Sequence, residues 1–150
     1  MLPRRRGGAR VSDWRVTGLH HVAVASGEDR TGEALFAALL GSPVHTEEGD
    51  GFTERMYEVG GPFVQTLEAG DEGVVRRFLD KRGPGLHHIA FAVDRLDDAL
   101  ADLDQHGVAL IDHTPRPGGM GTRVAFLHPS AAGGVLIELV EDPEGDVVDG

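Results

Sequence analysis

The sequence contains no cysteine, which excludes disulfide bonds, thiolate metal sites and a cysteine nucleophile. It also lacks an apolar run near the roughly 20 residues that a membrane-spanning helix needs, so no membrane partner is expected. The 150 residues are 40% hydrophobic and 26% charged, which is enough to bury the core of one soluble domain. A cysteine-free chain fits a reducing compartment, and we expect a cytoplasmic protein.

Positive charge is scarce outside the N-terminus. The chain has 14 Lys and Arg against 25 Asp and Glu, a net charge of −11. Five of the arginines lie in the first 15 residues, so the rest of the chain is strongly acidic and a nucleic-acid partner is not expected. We expect residues 1–17 to form a basic, disordered leader and residues 142–150 an acidic tail.

An internal repeat is the most informative feature of the chain. The segment Gly18–Ala25 returns 67 residues later as Gly85–Ala92, with six of eight positions identical. A helical pattern follows each copy and ends at Gly41 or Gly107. The repeat predicts two modules, 18–69 and 85–141, within one domain over 18–141. A linking helix is predicted at about 71–83.

Each module is predicted to have the order βαβββ, which makes the fold class α+β. In the second copy, Asp94 is the predicted N-cap of a helix whose apolar face contains Leu96, Ala99, Leu100 and Leu103. In the first copy, the apolar residues are Leu35, Phe36, Leu39 and Leu40. The strands predicted after the helices are 43–48, 52–59, 62–68, 108–112, 121–128 and 134–141.

Strand alternation separates the two histidines of each copy. His21 and His88 share a face with alanines, whereas His20 and His87 share the bulkier face. Two imidazoles among small residues on equivalent strands favour a metal site, although a structural histidine is the alternative for each.

Two polar residues interrupt apolar strands near the end of each module. They are Gln65 and Glu138, and a carboxylate among aliphatic residues is costly to bury unless it is paired or binds a metal. An ordinary hydrogen-bonded amide and a solvent-facing edge residue are the alternatives. With His21 and His88 they would give two nitrogen and two oxygen ligands, which suit cobalt, nickel, zinc, manganese or iron.

Several motifs resemble those of the vicinal oxygen chelate (glyoxalase/bleomycin resistance) superfamily, and within it the methylmalonyl-CoA epimerases. The resemblance covers about 18–141, and its most specific segments are 81–91, 111–116, 121–129 and 133–139. It implies a cupped, partly closed mixed sheet around a central metal cavity. It also implies one divalent metal per subunit, with cobalt favoured, an acyl-CoA thioester substrate and a homodimer.

The same resemblance assigns roles to individual residues. The metal ligands would be His21, Gln65, His88 and Glu138, with no separate organic cofactor. Glu54 and Glu138 would be the catalytic pair that removes the proton at C2 and returns one to the opposite face. Glu58, on the same strand face as Glu54, and the nearby Glu47 and Glu48 are alternatives to Glu54.

An anionic thioester needs positive charge nearby. The candidates lie on the linking helix and beside a glycine-rich loop at 118–121, and they are Arg76, Arg77, Lys81, Arg82, Arg116 and Arg123. A solvated helix face and a plain hairpin turn are the alternative interpretations of these two features.

Three other functions compete with epimerisation. A glyoxalase-type isomerase would usually have a carboxylate at the position of Gln65. An extradiol-type dioxygenase would need iron and only His21, His88 and Glu138. A drug-binding resistance protein would need no metal at all, and the acyl group of an epimerase substrate is left open.

Overall fold

The computed structural model describes residues 13–143. These residues form two compact units, of which the first comprises residues 19–90 and the second residues 13–18 and 91–143. Most of the predicted acidic tail and most of the predicted leader lie outside the described residues. Within 13–143, no helix is both long and apolar enough to cross a membrane.

The element order confirms two βαβββ modules joined by a helix, and therefore the α+β fold class. The strands are β1 Val16–Ala25, β2 His45–Gly49, β3 Phe52–Glu58, β4 Phe63–Ala69, β5 Gly85–Val93, β6 Arg116–Pro117, β7 Arg123–Leu127 and β8 Leu136–Glu141. The helices are α1 Thr31–Leu40, α2 Val74–Arg82 and α3 Leu96–Gln105. Single 3-10 turns cover Gly119–Gly121 and Pro129–Ala132.

Strand pairing is mixed. In the first unit the order is β2-β3-β4-β1-β5, with β1 and β4 parallel and the β2–β3 and β3–β4 pairs antiparallel. In the second unit β8, β7 and β6 pair antiparallel in that order. Parallel β1 and β4 are possible because α1 and the β2–β3 hairpin provide the long connection between them.

One strand predicted for the second module is wrong. The strand predicted at 108–112 is reduced to one bridge, between Leu110 and Leu127. The edge strand is instead β6, two residues that contain Pro117. Proline has no N–H to donate, so it limits this edge to a very short strand.

The N-terminal boundary of the domain also lies earlier than predicted. Trp14 belongs to the predicted leader, yet only 7% of its surface is exposed. Its indole Nε1 donates a hydrogen bond to Asp102 Oδ2 at 2.7 Å. The burial of this large aromatic side chain makes residues 14–17 part of the second unit.

The second unit has an apolar core under α3. The buried face of this helix contains Leu96, Ala99 and Leu100, as predicted, and packs against Val93 and Leu139. Asp94 does not cap the helix, because its side chain accepts a hydrogen bond from the Arg15 N–H instead. Glu141 Oε2 accepts the hydrogen bond of the Leu96 N–H.

Helix α1 of the first unit does not bury the apolar face that the sequence predicts. Leu35 and Leu39 are 55% and 67% exposed, and Glu33 is the buried residue of the helix. The Glu33 carboxylate accepts hydrogen bonds from Arg30, Arg55 and Thr66. Burial raises the pKa of Glu33, but the hydrogen bonds and positive charges outweigh it and hold that pKa below its usual value of 4.5.

The other side of the first unit carries a small apolar core. Helix α2 packs there, with Val75 fully buried against Ala23, Ala25 and Leu67. This packing covers one end of the face of β1 and β4, and polar side chains occupy the other end of the same face.

Candidate active site

The inner histidines of the repeat face each other. His21 on β1 and His88 on β5 are each only 4% exposed, and their Nε2 atoms are 3.0 Å apart. Their neighbours along the strands, Ala23 and Ala90, are fully buried and small, which leaves room beside the rings. The prediction that alternation directs His21 and His88 to one place is therefore confirmed.

The spacing of these nitrogens fits a metal ion. Two histidine nitrogens that would each lie about 2.1 Å from one divalent metal would be roughly 3.0–3.4 Å apart. Two bare lone pairs at this distance repel each other unless a proton or a cation lies between them. Imidazole is also a common ligand of the first-row divalent metals.

The outer histidines contact the inner ones. His20 Nδ1 lies 2.7 Å from His21 Nδ1, and His87 Nδ1 lies 2.8 Å from His88 Nδ1. The sequence interpretation placed His20 and His87 on the opposite face and gave them no role. The doubled His-His motif was the signal that could have revealed both contacts.

Gln65 and Glu54 form a buried polar pair on neighbouring strands. Gln65 on β4 is 5% exposed and Glu54 on β3 is 8% exposed. Gln65 Nε2 donates a hydrogen bond to Glu54 Oε2 at 2.5 Å and also contacts Met56 Sδ at 3.3 Å. The amide therefore has both of its donors directed toward β3, which orients its carbonyl oxygen.

The structure separates Glu54 from the alternative glutamates. Glu58 and Glu48 are exposed, and Glu48 is paired with Thr53 rather than Glu54. Glu47 lies opposite Glu54 in the β2–β3 register, and its Oε1 is 3.1 Å from His45 Nε2. Glu54 is therefore the buried carboxylate of this group, and Glu47 with His45 forms its more exposed neighbour. Sequence reasoning gave His45 no role.

Glu138 lies on β8 in the second unit. It is 7% exposed and pairs in register with Phe126 on β7. The alternative of a solvent-facing edge residue is wrong, because both the side chain and its neighbours Leu139 and Val140 are buried.

Three of the six candidate basic residues have acidic partners within their own unit. Arg76 contacts Glu28 at 2.6 Å, and Arg123 binds both Asp97 and Glu141. Arg116 contacts Asp112 at 3.3 Å. The exposed basic residues of α2 are Arg77, Lys81 and Arg82.

The glycine-rich loop is a hairpin connection between antiparallel β6 and β7. A side chain at Gly118 would approach Val124 Cγ1 to 2.5 Å and Thr122 Oγ1 to 2.6 Å. Close packing therefore explains Gly118, and the hairpin interpretation of this loop is the one the structure favours.

The chain has clear relatives in sequence and in fold. The family described as Glyoxalase/Bleomycin resistance protein/Dioxygenase superfamily matches residues 20–126. A mitochondrial methylmalonyl-CoA epimerase of Bos taurus is 32% identical over 84% of this chain and 75% of that protein.

Solved structures show the same likeness. A methylmalonyl-CoA epimerase from Mycobacterium tuberculosis is 40% identical, covers 85% of this chain and 89% of its own, and superposes with a TM-score of 0.78. Another, solved in complex with methylmalonyl-CoA and NH4+, is 36% identical over 87% of this chain and 97% of its own, also with a TM-score of 0.78. The chain therefore belongs to the Glyoxalase/Bleomycin resistance protein/Dioxygenase superfamily, and within it to the family of methylmalonyl-CoA epimerases, which are isomerases.

Proposed function

We propose that this protein inverts the configuration at C2 of methylmalonyl-CoA or a related 2-substituted acyl-CoA thioester. The observation that carries the proposal is the buried Gln65–Glu54 pair, 2.5 Å between Nε2 and Oε2, in the same unit as the facing Nε2 atoms of His21 and His88. Removal of a proton next to a thioester carbonyl requires a base, and a carboxylate near the candidate metal ligands can act as that base.

The proposed metal ligands are His21, Gln65, His88 and Glu138. The spacing of the two imidazoles supports the histidines, and burial together with the family resemblance supports Gln65 and Glu138. When bound, a divalent metal supplies Lewis-acid stabilisation of the negative charge that develops on the thioester oxygen. Cobalt is the proposed metal, since mixed nitrogen and oxygen ligands suit it, and nickel, zinc, manganese and iron fit the same donor set.

Gln65 connects the two parts of the proposed site. Its Nε2 donates to Glu54 Oε2, which leaves its carbonyl oxygen as the atom that ligates. A single amide then fixes the position of the base relative to the metal. An enzyme with a carboxylate at this position could not donate that hydrogen bond, which favours the epimerase over the glyoxalase alternative.

Glu54 and Glu138 are the proposed acid–base pair. One carboxylate takes the proton from C2, and the protonated partner returns a proton to the opposite face of the carbon. Both side chains are buried, which keeps bulk water away from the carbanion-like species.

The CoA portion of the substrate is negatively charged. Arg77 and Lys81 are exposed and one helical turn apart on α2, so they form one basic face. We assign this face to the phosphates of the substrate.

The proposed assembly is a homodimer in the cytoplasm. The apolar surface of α1 supports self-association, since Leu35 and Leu39 are largely exposed there. Light scattering during size exclusion would detect the dimer by a mass of twice 16.0 kDa. The proposed location follows from the cysteine-free composition.

The decisive experiment is deuterium uptake at C2 of methylmalonyl-CoA in D2O, after metal analysis of the purified protein. We expect exchange in the wild type and a loss of about 10²–10⁴-fold in Glu54→Gln. His88→Ala should lose both the metal and the exchange. Glu58→Gln is the matched control, because Glu58 is an exposed glutamate on the same strand, and it should retain wild-type exchange.

The other outcomes are equally informative. Exchange lost in His88→Ala but kept in Glu54→Gln would retain the metal site and move the base to another carboxylate, with Glu47 the nearest on β2. Bound metal without any exchange would refute epimerisation of this substrate. A protein that binds no metal would favour the drug-binding alternative.

A further inference from the structure

The contact between outer and inner histidines occurs twice. In each copy the two Nδ1 atoms lie 2.7 or 2.8 Å apart, and the rings meet edge-on at 75° and 76°. The two copies are 67 residues apart in the chain and belong to different modules. Because the geometry is the same on both strands, we attribute the contact to the His-His motif itself.

With a metal bound to Nε2 of the inner histidine, each contact would determine where the ring protons lie. A neutral imidazole carries one N–H, and two ring nitrogens at hydrogen-bond distance repel each other unless a proton or a cation lies between them. A metal can bind Nε2 of His21 or His88 only when that nitrogen is bare, so the single proton of the ring must lie on Nδ1. From there it is donated to Nδ1 of the outer histidine, which holds its own proton on Nε2.

We propose that His20 and His87 are positioning residues that hold His21 and His88 in the tautomer able to bind a divalent metal. The inference rests on the proposed metal site and goes beyond it, since neither outer histidine is a ligand in that proposal. A hydrogen bond to the remote nitrogen of a metal-binding histidine also orients the ring and raises its basicity.

Aromatic contacts hold the outer rings in place. The His20 ring lies 5.8 Å from the Phe63 ring, and the His87 ring lies 4.8 Å from the Phe78 ring. Both outer histidines are half-buried, so packing restrains their rings although part of each ring is exposed to solvent. The acceptor nitrogens are thus in position before a metal arrives, which lowers the entropic cost of binding.

Cobalt(II) titration of the full-length, chelator-treated protein tests the inference, with the absorbance of bound Co²⁺ as the signal. Loss of a hydrogen-bond partner behind a ligand costs about 10–100-fold in metal affinity, which is the change expected in His20→Phe and His87→Phe. His20→Asn and His87→Asn should recover most of the affinity, because Asn Oδ1 can accept the same proton.

Two controls separate this role from packing. His113→Phe changes a histidine whose side chain is 67% exposed in the second unit, and it should leave Co²⁺ affinity unchanged. In the zinc-loaded protein, proton–nitrogen NMR spectra should show hydrogen-bonded Nδ1–H signals for His21 and His88. The signal of His21 should shift upfield in His20→Phe, and that of His88 in His87→Phe.

The inference is overturned if the Phe variants bind Co²⁺ as the wild type does. It is also overturned if the Asn variants are as weak as the Phe variants, because the role would then be packing. Wild-type protein that takes up no Co²⁺ would refute both this inference and the metal part of the proposed function. Normal Co²⁺ binding with the expected variant pattern but no C2 exchange would refute only the proposed function.

Discussion

The two modules share a sequence repeat, but different interactions stabilise helix α1 of the first module and helix α3 of the second. Counted back from the glycine that follows each helix, Glu33 and Ala99 both lie eight residues earlier, and both are buried. In α3 that position is part of an apolar core, whereas in α1 it is a carboxylate held by Arg30 and Arg55. A duplicated framework therefore tolerates a change from hydrophobic to ionic packing while the strand motif remains intact.

The largest effect is expected in the apolar core. Leu100→Ala removes a side chain that is 2% exposed and should cost about 2–5 kcal/mol of unfolding free energy, because it leaves a cavity. Leu39→Ala is the matched control in α1, where the side chain is 67% exposed, and at a concentration at which the protein is monomeric it should change stability by less than about 0.5 kcal/mol. Urea unfolding followed by circular dichroism measures both, and equal costs would show that α1 buries leucine after all.

The ionic cluster under α1 should be the next most sensitive. Glu33→Gln removes the carboxylate but keeps the shape, and it leaves the half-buried Arg55 without its buried partner. We expect a loss of roughly 3 kcal/mol. Glu48→Gln, at an exposed glutamate of the same unit, is the control. If Glu33→Gln had the same unfolding free energy as the wild type, the ionic cluster would make no net contribution to stability.

The same cluster predicts how stability depends on pH. The folded state lowers the pKa of Glu33, so its contribution is complete above the ordinary value of 4.5 and is lost as the pH falls through the lowered value. Wild-type protein should therefore lose stability below about pH 4.5 more steeply than Glu33→Gln. Urea midpoints measured at several pH values would show this, and parallel curves would contradict it.

An intermediate effect is expected at the N-terminal edge of the second unit. Trp14→Phe keeps most of the apolar surface but removes the hydrogen bond to the Asp102 carboxylate. A hydrogen bond to a charged group contributes about 1.5–3 kcal/mol, and we expect a loss at the lower end of that range. Val16→Ala, at a residue that is 45% exposed, is a suitable control for thermal unfolding.

The smallest effect should come from the exposed ionic cluster of the second unit. Arg123 binds Asp97 and Glu141 but is itself well exposed. Arg123→Ala should cost no more than about 1 kcal/mol, and added salt should reduce that cost. If Arg123→Ala cost as much stability as Glu33→Gln, the prediction that buried ion pairs contribute more to stability than exposed ones would be wrong.

Sequence reasoning found the repeat, the βαβββ order and the convergence of His21 and His88, because these follow from periodicity within a few residues. It missed the burial of Glu33, since the partner residues Arg55 and Thr66 are distant in sequence and nothing local indicates that they meet. It placed a strand at 108–112 because that segment is apolar. The edge strand that forms instead, β6 with Pro117, depends on pairing with β7, which the sequence does not indicate. The His20 and His87 contacts were missed because simple alternation assigns adjacent residues to opposite faces.

The distribution of aromatic residues has a practical consequence for spectroscopy. The chain has one tryptophan and one tyrosine. Trp14 is buried in the second unit, and Tyr57 is buried in the first, 3% exposed and with its ring 6.3 Å from that of Phe36. Indole emission excited at the red edge of the absorption band thus reports on one unit, and the ultraviolet difference signal of the phenol reports on the other. The unlabelled protein therefore carries a separate optical reporter for each half of its repeat.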